Sequence, residues 1–206
     1  MTALILARHG HVDWIAPERF RGRAELSLSK LGELQAAALA TRVAQSWTPD
    51  AIYTSPLSRC IRTGDAIAQA TGVPAKILDD LSDIDYGQWQ GLTHEEVAAR
   101  WPDLARAWFA TPDLAVIPGG ETLADVLVRA MKVLHTILHD HSDQTVVMVG
   151  HDSINRIILL QCLGLPLARY WRIKQEPCCV NEIAIEADDF TLHRLNETHH
   201  TLGLRV

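Results

Sequence analysis

Apolar residues along the chain fall into two kinds of pattern. Short apolar runs, Leu4 to Ala7, Ala51-Ile52-Tyr53 and Gln144 to Val149, are each followed by a polar or glycine-containing turn and then by helical periodicity. Runs of this kind suit strands buried on both faces of a parallel sheet. Longer stretches repeat with a helical period. Leu123, Val126, Leu127, Ala130, Leu134 and Ile137 predict an amphipathic helix from about Glu121 to His139, with one face toward a core. Ser29 is a good N-cap for a helix through the alanine-rich Leu34 to Val43 stretch, and another helix is expected after Pro56, ending near Gly72. Near the C-terminus, Val180 to Ile185 and Phe190 to Leu195 read as two strands joined by a tight Ala187-Asp188-Asp189 turn. Strand and helix alternate, which predicts a layered α/β fold around a mostly parallel sheet.

Ligands of such sheets sit beyond the carboxyl ends of the strands. Arg8-His9, Ser55 to Arg59 and Gly150-His151 all follow predicted strands, so this rule gathers them at one end of the sheet.

Composition narrows the picture. A chain of 206 residues, 48% hydrophobic, has material for one domain with a substantial core and room for a small insertion. The net charge of -6 argues against a general affinity for nucleic acid or an anionic membrane, so small-molecule partners are expected. The opening Met1 to Gly10 lacks a basic leader and its apolar run is short; no segment has the roughly 18 apolar residues that span a bilayer. A cytoplasmic location is therefore expected. Cys60, Cys162 and the adjacent Cys178 and Cys179 form no Cys-x-x-Cys pattern, so reduced, mostly buried thiols are expected.

The first chemically suggestive stretch is Ala7-Arg8-His9-Gly10-His11-Val12-Asp13-Trp14. Read as His-x-His-x-Asp, it can gather His9, His11 and Asp13 around a divalent metal. Read as Arg-His-Gly at a strand end, it can offer one histidine nitrogen to phosphorus. A dinuclear hydrolase of the His-x-His-x-Asp-His type needs a further histidine where this chain has Trp14. An amidohydrolase barrel, at about 250 residues or more, fits this length poorly. Elsewhere, His135, His139 and His141 have helical spacing for a metal, yet no carboxylate or cysteine motif completes the set, and a polar helix end explains them. Asp79, Asp80, Asp83 and Asp85 crowd one stretch. Arg19, Arg21 and Arg23 alternate, so they either share a side facing an anionic substrate or form a solvated loop paired with Glu18 and Glu25. Trp89, Trp101 and Trp108 either line a lid or pack an inserted helical segment.

Seven stretches occur in order: Arg8-His9-Gly10, Phe20-Arg21-Gly22-Arg23, Leu28 to Gln35, Thr54-Ser55-Pro56-Leu57-Ser58-Arg59, Leu81 to Gly91, Pro118-Gly119-Gly120-Glu121-Thr122, and Val149-Gly150-His151. Through them the chain resembles the histidine phosphatase superfamily, also called phosphoglycerate mutase-like, from Leu4 to about Leu202. The resemblance implies a three-layer α/β/α sandwich with a mostly parallel central sheet. It implies a single domain over 1–206, with a small helical lid insertion around 91–119.

The implied activity is that of a phosphomonoesterase needing neither metal nor other cofactor and acting on a small phosphorylated metabolite. By the same resemblance His9 is the nucleophile that becomes a phosphohistidine. Attack needs a neutral imidazole, its other nitrogen donating to a backbone carbonyl. Arg8, Arg59 and His151 match the phosphate pocket, where Arg59 can engage two oxygens at once, and Arg21 is a further candidate for it. Asp83 stands where the family carries the acid that protonates the leaving oxygen. Many relatives have the longer Glu there, which keeps Asp85 as an alternative. The chain departs from the family at His11, where Glu or Gln is frequent, and at Ile15, where Asn is common. The segment from Gly91 to Gly119, about 30 residues, is shorter than the resemblance implies for a cofactor-dependent phosphoglycerate mutase, and a small lid favours hydrolysis. A cofactor-dependent phosphoglycerate mutase and an inactive binding module of the same fold are the alternatives.

Overall fold

The computed structural model describes residues 1–15, 17–187 and 189–205, with the side chain of Ile15 outside that description. Strands β1 (Thr2–Arg8), β2 (Ala51–Thr54), β3 (Ala75–Ile77), β4 (Thr145–Gly150), β5 (Val180–Glu186) and β6 (Asp189–Glu197) form one sheet in the order β3-β2-β4-β1-β5-β6. The first four are mutually parallel; β5 runs antiparallel to β1, and β6 antiparallel to β5. The sheet is thus mostly parallel, as the apolar runs required. The β5–β6 hairpin is also where the sequence placed it, although Asp188 of its turn lies outside the described residues.

Helices α1 (Lys30–Ser46), α2 (Ser58–Thr71), α3 (His94–Arg100), α4 (Pro102–Ala110), α5 (Leu123–Asp140) and α6 (Asp152–Cys162) complete the layers. Alternate strand residues feed two cores. Leu4, Leu6, Val146 and Met148 pack with α5 and α6, whereas Ile5, Ala7, Val147 and Val149 pack with α1 and α2. Burial on both faces is why these strands read as unbroken apolar runs. Ser29 caps α1 by accepting from Gly32 N, Gly72 ends α2 at φ 76°, and Thr122 opens α5 in a capping box with Asp125.

The segment 91–119 carries α3 and α4. Trp89 and Trp108 are fully buried with their rings 6.2 Å apart, and Trp101 lies 6.5 Å from Trp89. These tryptophans are packing residues: Trp89 and Trp108 belong to the core, and Trp101 packs against it. All four cysteines are free and buried. Burial pushes the Cys60, Cys162 and Cys179 thiols up to about 12, so they are protonated at neutral pH. No described helix is long and apolar enough to cross a membrane.

The register sets up the site. Arg8 lies opposite Gly150, and Thr54 opposite Val149. His9 N donates to Gly150 O at 3.1 Å and Ser55 N to Val149 O at 3.0 Å. Three parallel strands therefore stop at one level, and the residues that follow them converge.

Candidate active site

β1 delivers Arg8 and His9 in nearly full burial, 6% and 1% exposed. The turn after them needs glycine, because a Cβ on Gly10 would sit 2.6 Å from the Gly32 carbonyl oxygen at the start of α1. His9 Nδ1 lies 2.7 Å from the Gly10 carbonyl oxygen. That nitrogen donates, which leaves the lone pair on Nε2. Arg59 Nε donates to this Nε2 at 3.3 Å. Burial first, then the charges of Arg59, His151 and Arg8, hold His9 well below the ordinary histidine value. It is a neutral imidazole with Nε2 among cations.

Arg59, in the first turn of α2, is fully buried. Its Nη1 donates to Ala24 O and its Nη2 to Gly22 O, both at 2.7 Å. Gly22, at φ 48°, is part of the turn that supplies these carbonyls. Loop carbonyls thus take one N–H from each outer nitrogen of Arg59, and Nε faces His9 Nε2. Arg8 Nη1 donates to Gln175 O, while its buried Nε has no partner among the described residues.

His151 follows β4 and stands at the N-cap position of α6, its ring centroid 5.1 Å from that of His9. Ser55 Oγ lies 2.7 Å from His151 Nε2. Burial, then Arg59 and Arg8, keep His151 well below the ordinary value too. Asp83, 6% exposed, accepts at Oδ1 from Ser153 Oγ and from Ile84 N, the latter at 3.0 Å. Its Oδ2 lies 3.4 Å from Arg59 Nη2 and 3.7 Å from His151 Nδ1. The structure thus brings Arg8, His9, Arg59, Asp83 and His151 together. Asp85 turns elsewhere: its Oδ1 accepts from Gly87 N at 2.8 Å, and Oδ2 lies 3.7 Å from Arg23.

The three alternating arginines separate. Arg23 pairs with Glu121 at 3.0 Å, and Arg19 donates to Gly91 O at 2.7 Å. Arg21 donates to Trp14 O at 3.2 Å and, with Arg19, lines a cavity of about 240 Å³ that opens beside Asp83. Burial, then the neighbouring Arg8 charge, push the Arg21 guanidinium downward. Arginine nevertheless stays charged in proteins, so an anion here would relieve the strain of two adjacent cations. His94 and Phe109 bring the 91–119 segment to the cavity wall.

His9, His11 and Asp13 do not converge: His11 Nδ1 lies 2.8 Å from Ser29 Oγ, while His9 faces Arg59. Among the described residues no three His, Cys, Asp or Glu side chains gather as metal ligands. His141 instead meets Tyr53 Oη at 2.9 Å and Gln144 at 2.7 Å.

Residues 4–198 match the histidine phosphatase superfamily (branch 1). The chain belongs to that superfamily. It is similar to phosphoserine phosphatase 1 of Hydrogenobacter thermophilus, 33% identical over 200 residues, 97% of this chain and 94% of the relative. It is similar as well to a glucosyl-3-phosphoglycerate phosphatase of Mycolicibacterium vanbaalenii, 34% identical over 172 residues, 80% and 75% of the two chains. Mycobacterial relatives matched at 31% identity are longer, and the chain spans 54% of their length. Among solved structures, YhfR of Bacillus stearothermophilus superposes with a TM-score of 0.92 at 26% identity, over 98% of this chain and all of that one. The expected enzyme class, a phosphoric monoester hydrolase, stands.

In this histidine phosphatase several residues that hold the site in place were given no role by the sequence. Ser153, in the first turn of α6, holds Asp83; Ser55 holds His151; Gln175 holds Arg8. Glu121 and Arg129 fix the loop that bears Asp83: Arg129 donates to Asp80 O at 2.9 Å and Ser82 O at 2.8 Å, and pairs with Glu121 at 2.9 Å. Ser55 and Glu121 fall inside quoted motifs. Ser153 was reachable by noting that the first turn of a helix behind a site points into it.

Proposed function

We propose that this histidine phosphatase hydrolyses a phosphomonoester of a small metabolite, without a metal ion, through a phosphohistidine on His9. The observation that carries the reading is the His9 imidazole, held neutral by its surroundings and fixed by Gly10 O so that the Nε2 lone pair faces the arginines. Nε2 attacks phosphorus, an N–P bond forms, and the bond to the leaving oxygen breaks. Asp83 gives that oxygen a proton through Oδ2. Water then attacks the phosphohistidine, passes a proton back to the Asp83 carboxylate, and inorganic phosphate leaves His9 free again.

Charge gathering on the transferring oxygens is met by Arg8, whose Nε is unspent, by the Arg59 charge, and by His151 and Arg21. The phosphatase names of the relatives support transfer to water over return to a second hydroxyl.

Nitrophenyl phosphate is the direct assay. Turnover is expected to survive exhaustive chelation, since cationic side chains stand where a metal would otherwise supply charge. Loss of turnover with chelator and recovery with a stoichiometric divalent ion would overturn the metal-free mechanism. Interconversion of phosphoglycerates faster than phosphate release, when primed with bisphosphoglycerate, would make the protein a mutase.

A further inference from the structure

Two guanidiniums on the cavity wall are left without work by the mechanism above: Arg19, which donates to Gly91 O, and Arg156. Arg156 is 8% exposed and projects from α6 beside Asp152 and Ser153. Its plane lies against two rings, 5.1 Å from the Tyr170 centroid and 4.8 Å from that of Trp171. Asp152 Oδ1 lies 2.9 Å from Nε, close enough for charge balance, yet neither atom makes a directed hydrogen bond. Nη1 has no hydrogen-bond partner among the described residues. A buried guanidinium N–H without an acceptor is costly, and the ring clamp prevents it from swinging out to water. The cavity in front of it is where an acceptor belongs.

Position identifies the kind of acceptor. Arg156 follows His151 by five residues, about 7.5 Å along the helix axis. The reacting phosphate belongs at the His151 end, so the Arg156 end meets the far side of the same small molecule. The cavity, about 240 Å³, falls below the range of drug-sized sites. A carboxylate suits a clamped planar donor edge better than a hydroxyl, because a charge-assisted hydrogen bond is about twice as strong as a neutral one.

We propose that Arg156 is a specificity-determining residue that binds a substrate carboxylate, and that the preferred substrates are short phosphomonoesters bearing one. This rests on the phosphatase reading, which it deepens.

Two substrate pairs isolate the carboxylate: O-phosphoserine against O-phosphoethanolamine, and 3-phosphoglycerate against glycerol 3-phosphate. In the wild-type protein kcat/KM is expected to favour the acid of at least one pair by about tenfold or more. In R156Q that ratio falls to within about threefold, mainly through KM, and in R156K, which keeps the charge but loses the planar fork, it is intermediate. A wild-type ratio near one in both pairs overturns the proposal, as does an equal loss on both members in R156Q. If R156Q does not fold, the wild-type ratio together with R156K decides. Nitrophenyl phosphate separates the two levels: its hydrolysis without carboxylate preference sinks this proposal alone, while no hydrolysis of any ester sinks the phosphatase reading as well.

Discussion

Asp83 presents its two oxygens to different partners, and that asymmetry gives it a testable role. Ser153 and Ile84 N fix Oδ1, whereas Oδ2 faces Arg59 and His151 on the side of His9. An alkyl phosphate expels a strongly basic alkoxide and needs Oδ2 as the proton donor; a nitrophenyl phosphate expels a stabilised phenolate that departs without it. Asp83→Asn is therefore expected to lose on the order of 10²- to 10⁴-fold on the alkyl ester and far less in phosphorylation by the aryl ester. Asp85→Asn, which removes only a half-exposed partner of Arg23, is expected to change neither by more than about threefold. Steady-state rates of the two variants on both esters check this. The charged and ring-bearing members of the site were legible as residues because their motifs occur in order along the chain. Their partners were not. The Arg59 fork depends on the carbonyls of Gly22 and Ala24, and the path of that loop is a tertiary outcome that no local pattern encodes.

At the level of elements, α5 does more than cover the sheet. Arg129 projects from it to bind the carbonyls of the loop before Asp83 and the carboxylate of Glu121, which in turn accepts from Asp85 N at 2.9 Å. The Arg129 and Glu121 side chains are 13% and 18% exposed; removing Arg129 leaves Glu121 with Arg23 as its remaining counter-charge and strips the carbonyls of Asp80 and Ser82 of their donor. Arg129→Met is expected to cost about 1–3 kcal/mol of stability in urea unfolding. Because the Asp83 loop loosens, alkyl-ester turnover falls more than aryl-ester turnover. Equal loss on both esters would separate the helix from any positioning of the acid. The helix itself was legible, since its apolar period extends over many turns. Short elements were not: β3 has three residues, and α3 and α4 have seven and nine, too few for a period to stand out.

For the molecule as a whole, the layered architecture and its mostly parallel sheet followed from apolar runs alternating with amphipathic stretches. The strand order did not follow from them, and neither did the cavity, whose wall draws on residues from 18 to 171. Burying two neutral histidines at the meeting point of three strands has a consequence for stability. Folded His9 and His151 both lie below the ordinary value of 6.5, so on acidification the unfolded chain takes up protons first. Stability then falls as pH drops below about 6.5, and is unaffected by these groups above it. Urea midpoints measured from pH 8 to 5 are expected to decline over this window, and less steeply in a His9→Gln/His151→Gln double variant. An identical slope in the two proteins would remove the histidines from the acid response.

The central claim is that phosphorus passes through His9 Nε2. Rapid quenching during turnover, followed by mass spectrometry of peptides kept in alkali, reads it directly. The adduct is expected on His9, lost in acid and retained in base as a phosphoramidate should be, with both adduct and turnover abolished in His9→Ala. Phosphate on another residue, or unchanged turnover in His9→Ala, would contradict the account.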